Sequence, residues 1–288
     1  MGFNIQTIRD IKVWFIRELK DFYPESEINA FINIILKNVL GLSKMNAFTF
    51  PETRLTNSQS HEIMDICRQL RTGKPLQYIM GETCFYNLTI KTNSHTLIPR
   101  PETEELVDHI IKENKGFRGS IIDAGTGTGC IAIALAVNLP EAQVYGFDIS
   151  EEALKTAEEN TALNKAKVDF FKSDILDPDL SLFIKTDIIV SNPPYVTESE
   201  KKFMDRNVLD FEPHSALFVP DKDPLVFYRA LIKLSKIILN PGGKLYFEIN
   251  ENMGSRLLKL LYSNGYGNTE IIKDLNGKDR IIKGIKND

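Results

Sequence analysis

The sequence predicts an α/β protein whose main body is a doubly wound, mostly parallel sheet, preceded by a small helical bundle. From about Glu102 onward, short apolar stretches alternate with amphipathic segments, which is typical of parallel strands connected by helices. Before about residue 75, apolar residues recur at spacings of three and four, which indicates helices alone. A chain of 288 residues is long for one domain, so we expect two units.

The composition excludes several classes of protein. With 42% hydrophobic and 26% charged residues, the chain is expected to fold and is neither collagen-like nor disordered. No apolar run reaches the ~18 residues of a membrane helix, and the first nine residues lack the order of a signal peptide, so we expect a cytoplasmic protein without a membrane partner. Three cysteines without CxxC spacing and four scattered histidines predict neither a disulfide framework nor a metal site.

Three helices and a hairpin are predicted ahead of the sheet. Apolar stripes predict helices over residues 5–22, 27–40 and 58–72, with Ser26 capping the second. Residues 78–90 are rich in aromatic and β-branched side chains, which favours a β-hairpin with its turn at Asn87. We therefore divide the chain into a helical domain (1–75), a hairpin linker (76–98) and a sheet domain (99–288).

The sheet domain is predicted to contain five parallel strands and a terminal hairpin. The parallel strands are placed at residues 120–123, 143–147, 168–171, 187–191 and 244–249. Helices are placed at residues 102–115, 129–138, 151–164, 224–239 and 253–263. Strands 269–273 and 280–285 are separated only by residues 274–279, which contain Asn-Gly, so the sheet is expected to finish with a reversed strand.

A glycine-rich loop joins the first parallel strand to its helix. Gly125, Gly127 and Gly129 allow a sharp turn and a close approach to a ligand at a helix N-terminus. Cys130 stands where the dinucleotide fingerprint GxGxxG requires glycine, and no GK[ST] follows, so a nicotinamide or ATP site is disfavoured.

Acidic and apolar residues at the ends of the next two strands complete a predicted adenosine site. Asp148 is placed to accept hydrogen bonds from both ribose hydroxyls, and Asp174 to face the adenine amino group. Ile149 and Ile175 would supply apolar walls. The alternative is a purely structural turn, with Asp148 capping the helix that begins near Glu151.

The tetrapeptide Asn192-Pro193-Pro194-Tyr195 follows the fourth parallel strand, beside the crevice where such sheets bind ligands. The two prolines have restricted φ and no N–H, so the nearby carbonyls are free to point at a ligand. The Asn192 side-chain oxygen and the Pro193 carbonyl would offer two acceptors to an NH₂ group, and Tyr195 a flat aromatic face. A plain proline-rich turn is the alternative.

The glycine-rich loop at 125–129 and the tetrapeptide at 192–195 resemble the motifs of class I S-adenosylmethionine-dependent methyltransferases that modify planar amino groups. Further stretches are similar to the HemK/PrmC family, the N5-glutamine methyltransferases of peptide chain release factors. They are residues 75–81, 97–104, 212–217, 241–243 and 274–280. The likeness runs from about residue 75 to the C-terminus.

The resemblance implies a class I methyltransferase sheet, S-adenosylmethionine as cofactor without a metal, and class I release factors as partners of a monomer that binds no nucleic acid. The residues it implies for cofactor binding are Gly125, Thr126, Gly127, Thr128, Gly129, Asp148, Ile149, Asp174, Ile175 and Asn192. The residues it implies for holding the substrate glutamine are Asn192, Pro193, Pro194, Tyr195, Leu97 and Pro99. Two departures are visible: family members often have an aromatic residue at the place of Ile175, and residues 218–223 lack the glycines common in that loop.

The resemblance also implies the mechanism. Asn192 and Pro193 would orient the amide nitrogen towards the sulfonium methyl group, with Tyr195 beside them and no general base, while the helical domain would dock the release factor. Arg100 and Glu102 are expected to form an ion pair that holds the hairpin on the sheet.

Three other functions stay open at this point. A ribosomal-protein glutamine methyltransferase would share these motifs. An adenine-N6 nucleic-acid methyltransferase also uses Asn-Pro-Pro-Tyr, but the 25 basic and 31 acidic side chains after residue 75 disfavour it. A catalytically silent adaptor that binds the cofactor is disfavoured by the intact tetrapeptide at 192–195.

Overall fold

A computed structural model describes residues 5–287 of the chain. The chain forms two compact units: one comprises the residues up to Met80 together with Arg206–Phe211, and the other comprises Gly81–Asp205 and the residues from Glu212 onward. Within residues 5–287, no helix has both the length and the apolar character needed to cross a lipid bilayer.

The first unit is helical. Its helices are α1 (Ile8–Leu19), α2 (Glu25–Leu40), α3 (Lys44–Thr49), α4 (Asn57–Leu70), α5 (Leu76–Met80) and α9 (Arg206–Phe211). Thr7 and Thr56 begin α1 and α4 with capping boxes, which satisfy the first free N–H groups of each helix. The apolar stripes of α1, α2 and α4 meet in one core around Ile11, Phe15 and Ile63.

The structure corrects the predicted beginning of α2 and adds short helices. Pro24 is the N-cap of α2 and Ser26 lies inside its first turn, so the cap predicted at Ser26 is wrong. Proline is favourable at a helix start because its φ is already close to helical. Helices α3 and α5 were not predicted because five or six residues are too few to show a clear periodicity.

The second unit is built on a seven-stranded sheet. Its strands are β3 (Ser120–Ala124), β4 (Gln143–Asp148), β5 (Val168–Lys172), β6 (Thr186–Ser191), β9 (Leu239–Glu248), β10 (Tyr266–Lys273) and β11 (Asp279–Lys286). Its helices are α6 (Pro101–Glu113), α7 (Cys130–Asn138), α8 (Glu151–Leu163), α10 (Val226–Ile238) and α11 (Gly254–Ser263), and a short pair β7 (Val196–Thr197) and β8 (Phe218–Val219) stands apart. The predicted α/β class with a mostly parallel sheet is confirmed.

The strand order, β10-β11-β9-β6-β3-β4-β5, places the carboxyl ends of the parallel strands along one edge. β11 is the reversed strand, because it pairs antiparallel with both β9 and β10. The expectation that the sheet finishes with a reversed strand is therefore confirmed, since β11 is the last strand of the chain; it lies between β9 and β10, and β10 forms the edge. The Asn276-Gly277 turn connects the two strands but does not determine which of them reaches β9.

A β-hairpin of β1 (Glu82–Phe85) and β2 (Leu88–Lys91) belongs to the second unit. It is shorter than predicted, because Tyr78 lies in α5. Phe85 and Ile90 are buried in the same core as α6 and α7. Asn160 of α8 is fully buried and bonds both backbone groups of Lys91 as well as the Thr128 carbonyl, so it ties the hairpin to the glycine loop.

Candidate functional site

A cavity of about 260 Å³ lies in the second unit at the carboxyl ends of β3, β4, β5 and β6. Twelve residues predicted for cofactor or substrate binding line it: Leu97, Pro99, Gly125, Thr126, Gly127, Thr128, Asp148, Ile149, Asp174, Ile175, Asn192 and Pro194. Three predicted residues, Gly129, Pro193 and Tyr195, are not among the lining residues. The structure thus brings most of the predicted site together at one place.

The backbone N–H groups of the glycine loop hold it against the end of β4. The N–H groups of Gly125 and Thr126 both donate to the Phe147 carbonyl, at 2.9 and 3.0 Å. The Gly127 N–H donates to Asp148 Oδ2 at 2.9 Å. These donors are therefore already used, so the loop offers a close approach to its backbone rather than a phosphate cradle.

Gly129 has a packing role. Its φ of +79° favours glycine, and a Cβ there would lie 3.0 Å from the Ala157 Cβ and 3.3 Å from the Ala157 Cα of α8. Gly127, with φ of +54°, would instead carry its Cβ into open space. Gly129 thus allows α7 and α8 to approach each other, and its contact with the cofactor stays a prediction.

Two carboxylates stand at the base of the loop. Burial raises the pKa of Asp148, while hydrogen bonds from the Ser150 and Gly127 N–H groups act to lower it. Each Asp148 oxygen accepts one of these bonds, and a carboxylate has about four acceptor positions, so acceptor capacity remains for ligand hydroxyls. Burial raises the pKa of Asp123 to about 7, although Thr126 donates to it.

Two buried polar atoms near the carboxyl ends of β3 and β5 lack a hydrogen-bond partner within the described part of the chain. Asp123 Oδ1 near the end of β3 and Ser173 Oγ just after β5 are buried, and neither has a hydrogen-bond partner among residues 5–287. Such atoms are rare in folded proteins unless a ligand or water reaches them. Ile175 is buried, whereas Ile149 is 57% exposed, so one apolar wall is fixed and the other is open. The two isoleucines, together with Asp148 and the glycine loop, line the cavity with groups that fit an adenosyl group.

Asn192 presents one defined atom to the cavity. Its Nδ2 donates to Thr103 Oγ1 at 3.1 Å, while its Oδ1 has no donor within residues 5–287. No N–H of the described chain reaches the Pro193 carbonyl either. Asn192, which lines the cavity, therefore has an acceptor available for an NH₂ group, and the carbonyl of the next residue is also without an N–H donor from the described chain.

Tyr195 does not present its ring to the cavity as predicted. Its ring packs against the core that contains Tyr228 and Phe247, and its hydroxyl donates to Glu248 Oε1 at 3.1 Å. Glu248 is buried at the end of β9 and needs a donor for each oxygen; Tyr195 supplies one and Thr103 supplies the other. Tyr195 thus supports the site from behind.

The segment that carries Leu97 and Pro99 is fixed by an ion pair. Arg100 Nη2 lies 2.6 Å from Glu212 Oε1, and the Ile98 N–H donates to Glu212 Oε2 at 3.2 Å. The predicted partner of Arg100, Glu102, is wrong, because Glu102 lies in the first turn of α6, where an acidic residue stabilises the helix end.

Sequence reasoning missed several residues of the site. Phe227 of α10 lines the cavity, but in the sequence it belongs to an ordinary apolar helix stripe. Thr103 also lines the cavity, and its contact with Glu248 joins residues 145 positions apart, which no local pattern reveals. Within residues 5–287, no group of three or more His, Cys, Asp or Glu side chains has the arrangement of a metal site.

Two family models match the chain, and curated relatives match nearly its whole length. Residues 10–81 match the family model described as PrmC N-terminal domain, and residues 101–210 match the Methyltransferase small domain. The chain is 45% identical over 280 residues to the release factor glutamine methyltransferase of Flavobacterium psychrophilum, covering 96% of this chain and 98% of that protein. It is 44% identical over 272 residues to the protein of the same name in Bacteroides thetaiotaomicron, covering 94% and 98%.

A solved structure agrees on the fold. A methyltransferase from Pyrococcus furiosus superposes with a TM-score of 0.51 at 17% identity, over 81% of this chain and 100% of that one. The identities to the two curated relatives extend over nearly the whole of each protein. The chain belongs to the release factor glutamine methyltransferase family, which confirms the resemblance inferred from its motifs.

Proposed function

We propose that this protein transfers a methyl group from S-adenosylmethionine to the side-chain amide nitrogen of the glutamine in the Gly-Gly-Gln motif of class I peptide chain release factors. The observation that carries the proposal is the free Oδ1 of Asn192 beside the Pro193 carbonyl, at the edge of a cavity that also contains the glycine loop. Family membership supports the same activity.

The chain's own residues would hold the cofactor along one side of the cavity. Gly125, Thr126, Gly127 and Thr128 allow the close approach, Asp148 has acceptor capacity for ribose hydroxyls, and Ile175 forms a buried apolar wall. Asp174 and Ile149 would complete the adenine contacts. When bound, the cofactor supplies an electrophilic methyl group on a sulfonium.

The substrate side depends on alignment. An amide nitrogen is a weak nucleophile, so the two acceptors at Asn192 and Pro193 would orient its NH₂ group and stabilise the positive charge that develops there. Leu97, Pro99 and Pro194 would line the glutamine entrance. A methylated amide cation loses its proton to water readily, so no side chain is required as a general base.

The remaining assignments are also proposals. Residues 1–75 would dock the release factor, residues 76–98 would link the domains, and residues 99–288 would carry the methyltransferase chemistry. The protein would act in the cytoplasm as a monomer, without a metal, a membrane or direct nucleic-acid binding. The excess of acidic residues after residue 75 supports the last point.

Methyl transfer by the Asn192→Ala variant tests the proposal. We expect Asn192→Ala to reduce turnover at least ~100-fold, because it removes an oriented acceptor, while cofactor affinity changes only a few-fold. Asn138→Ala on α7, away from the cavity, is the matched control. The assay offers labelled cofactor with a release factor, a release factor whose motif glutamine is alanine, or DNA. Undiminished turnover by Asn192→Ala, or labelling of DNA instead of the release factor, would overturn the proposal.

A further inference from the structure

A hydrogen-bonded chain of buried side chains lies behind Asn192. Asn192 Nδ2 donates to Thr103 Oγ1 at 3.1 Å, and Thr103 Oγ1 donates to Glu248 Oε2 at 2.6 Å. Tyr195 donates to the other Glu248 oxygen at 3.1 Å. Thr103 and Glu248 are 3% and 1% exposed, so water does not compete for these bonds.

The direction of each bond follows from what each group is able to donate. An ionised carboxylate only accepts, so the single hydroxyl proton of Thr103 is committed to Glu248. Thr103 Oγ1 is then left as an acceptor, and only the NH₂ end of the Asn192 carboxamide satisfies it. The carboxamide is thereby oriented with its oxygen towards the cavity.

Three groups around Glu248 oppose the effect of its burial. Burial raises the pKa of Glu248, and the charge of Glu102 acts in the same direction, whereas the hydrogen bonds from Thr103 and Tyr195 and the charge of Arg280 stabilise the ionised form. Arg280 is itself paired with Asp274 at 3.2 Å and interacts with the Tyr195 hydroxyl. Two hydroxyl groups therefore donate to one buried carboxylate, and the charge of a nearby guanidinium favours its ionised form.

We propose that Thr103 and Glu248 are positioning residues that determine which end of the Asn192 carboxamide faces the substrate, so that the site accepts a neutral NH₂ donor and rejects a carboxylate. The inference rests on the proposed function and extends it to the choice between glutamine and glutamate. The two residues act through Asn192 and do not react themselves.

The Glu248→Gln variant reverses the chain of bonds with almost no change in shape. Arg280 donates towards the Tyr195 hydroxyl, so Tyr195 continues to donate to the glutamine carbonyl, and the new NH₂ is directed at Thr103. The Thr103 hydroxyl then donates to Asn192 Oδ1, and the carboxamide turns its NH₂ towards the cavity. The NH₂ group of Asn192 would then face the NH₂ group of the substrate glutamine.

Steady-state kinetics of three variants test the direction of the bonds. We expect kcat to fall ~100-fold in Glu248→Gln, since the oriented acceptor is lost. Thr103→Val keeps the shape but gives no preference for either orientation, so we expect a ~10-fold fall, and Thr103→Ser restores most of the activity. In the double variant Glu248→Gln with Thr103→Val, independent effects would multiply to a ~1000-fold fall in kcat. The inference predicts only a ~10-fold fall, because the Thr103 hydroxyl that reverses the Asn192 carboxamide in Glu248→Gln is no longer present.

A merely structural role would not produce this pattern. Thr186→Val, which removes another fully buried threonine hydroxyl at the opposite end of the sheet, is the control and should leave kcat within about twofold. Cofactor affinity should stay within about threefold of the unmodified protein in every variant, because the chain of bonds lies on the substrate side. A double variant whose kcat falls by the full product of the two single losses, or a Thr103→Val variant with full kcat, would overturn the inference. If Glu248→Gln fails to fold, the kcat of Thr103→Val decides alone.

A binding measurement separates this inference from the proposed function. The probe is a release factor whose motif glutamine is replaced by glutamate. Its carboxylate meets the Asn192 oxygen in the unmodified protein but an NH₂ group in Glu248→Gln, so we expect at least ~10-fold tighter inhibition of the variant. Unchanged inhibition refutes the positioning role. Absence of methyl transfer by the unmodified protein to the normal release factor refutes the proposed function instead.

Discussion

Two glycines of one loop are expected to respond differently to the same substitution. Alanine at Gly127 or Gly129 has to adopt a φ of +54° or +79°, which costs about 1 kcal/mol in either case. At Gly129 the new Cβ would also lie 3.0 Å from the Ala157 Cβ and 3.3 Å from the Ala157 Cα. Because backbone cannot swing aside, overpacking adds about 2 kcal/mol there.

The expected total is therefore about 1 kcal/mol for Gly127→Ala and about 3 kcal/mol for Gly129→Ala. For a unit of this size, the melting temperature should fall by about 3 °C in the first variant and about 9 °C in the second. Cofactor affinity should show the opposite order. The Cβ at Gly127 enters the open space of the cavity, so we expect at least a ~10-fold loss of affinity, against less than about threefold for Gly129→Ala.

Differential scanning calorimetry and isothermal titration calorimetry with S-adenosylmethionine measure the two effects separately. Equal losses of stability in both variants would show that contact with α8 does not explain Gly129. Retained cofactor affinity in Gly127→Ala would show that the cofactor does not approach this part of the loop.

Three further outcomes are expected. Glu212→Ala leaves Arg100 unpaired, so the free energy of unfolding measured by chemical denaturation should fall by about 2 kcal/mol. KM for the release factor should rise several-fold with little change in kcat. A raised KM for the cofactor instead would contradict the assignment of this ion pair to the substrate entrance. Burial tends to raise the pKa of Asp187, but the hydrogen bond from Asn240 helps to hold it below the unfolded value of 3.8. The ionised Asp187 therefore stabilises the fold above that pH, and this stabilisation is lost as the pH falls through the folded pKa. In urea titrations below about pH 4, the stability of Asp187→Asn should vary less with pH than that of the unmodified protein. Phe15→Ala should destabilise the first unit by about 4 kcal/mol while cofactor affinity, measured by calorimetry, stays unchanged.

The parts of the fold that depend on local pattern were predicted from the sequence. Strands β3 to β6 contain short apolar stretches and most of the helices between them have amphipathic stripes, so their order along the chain was readable. The place of β11 was not, because a hairpin turn leaves open which of its strands joins the sheet. Short helices such as α5 leave too little periodicity to detect.

The site shows the same division. The glycine loop, Asp148 and Asn192 were predicted because each follows a strand at the carboxyl edge of the sheet. The partner of Arg100 and the support behind Asn192 were not, since Glu212 and Glu248 reach the site from distant parts of the chain. Composition and spacing identify which groups a site contains, while three-dimensional register decides which pairs of them touch.

The glycine loop is fastened to β4 through the Phe147 carbonyl even without a ligand. A loop that is already ordered loses little conformational entropy when a ligand arrives, so more of the contact energy remains as affinity. The same order should keep its amide hydrogens protected from exchange with heavy water in the free protein. It follows that the enzyme can exchange spent cofactor for fresh cofactor between turnovers without first refolding this turn.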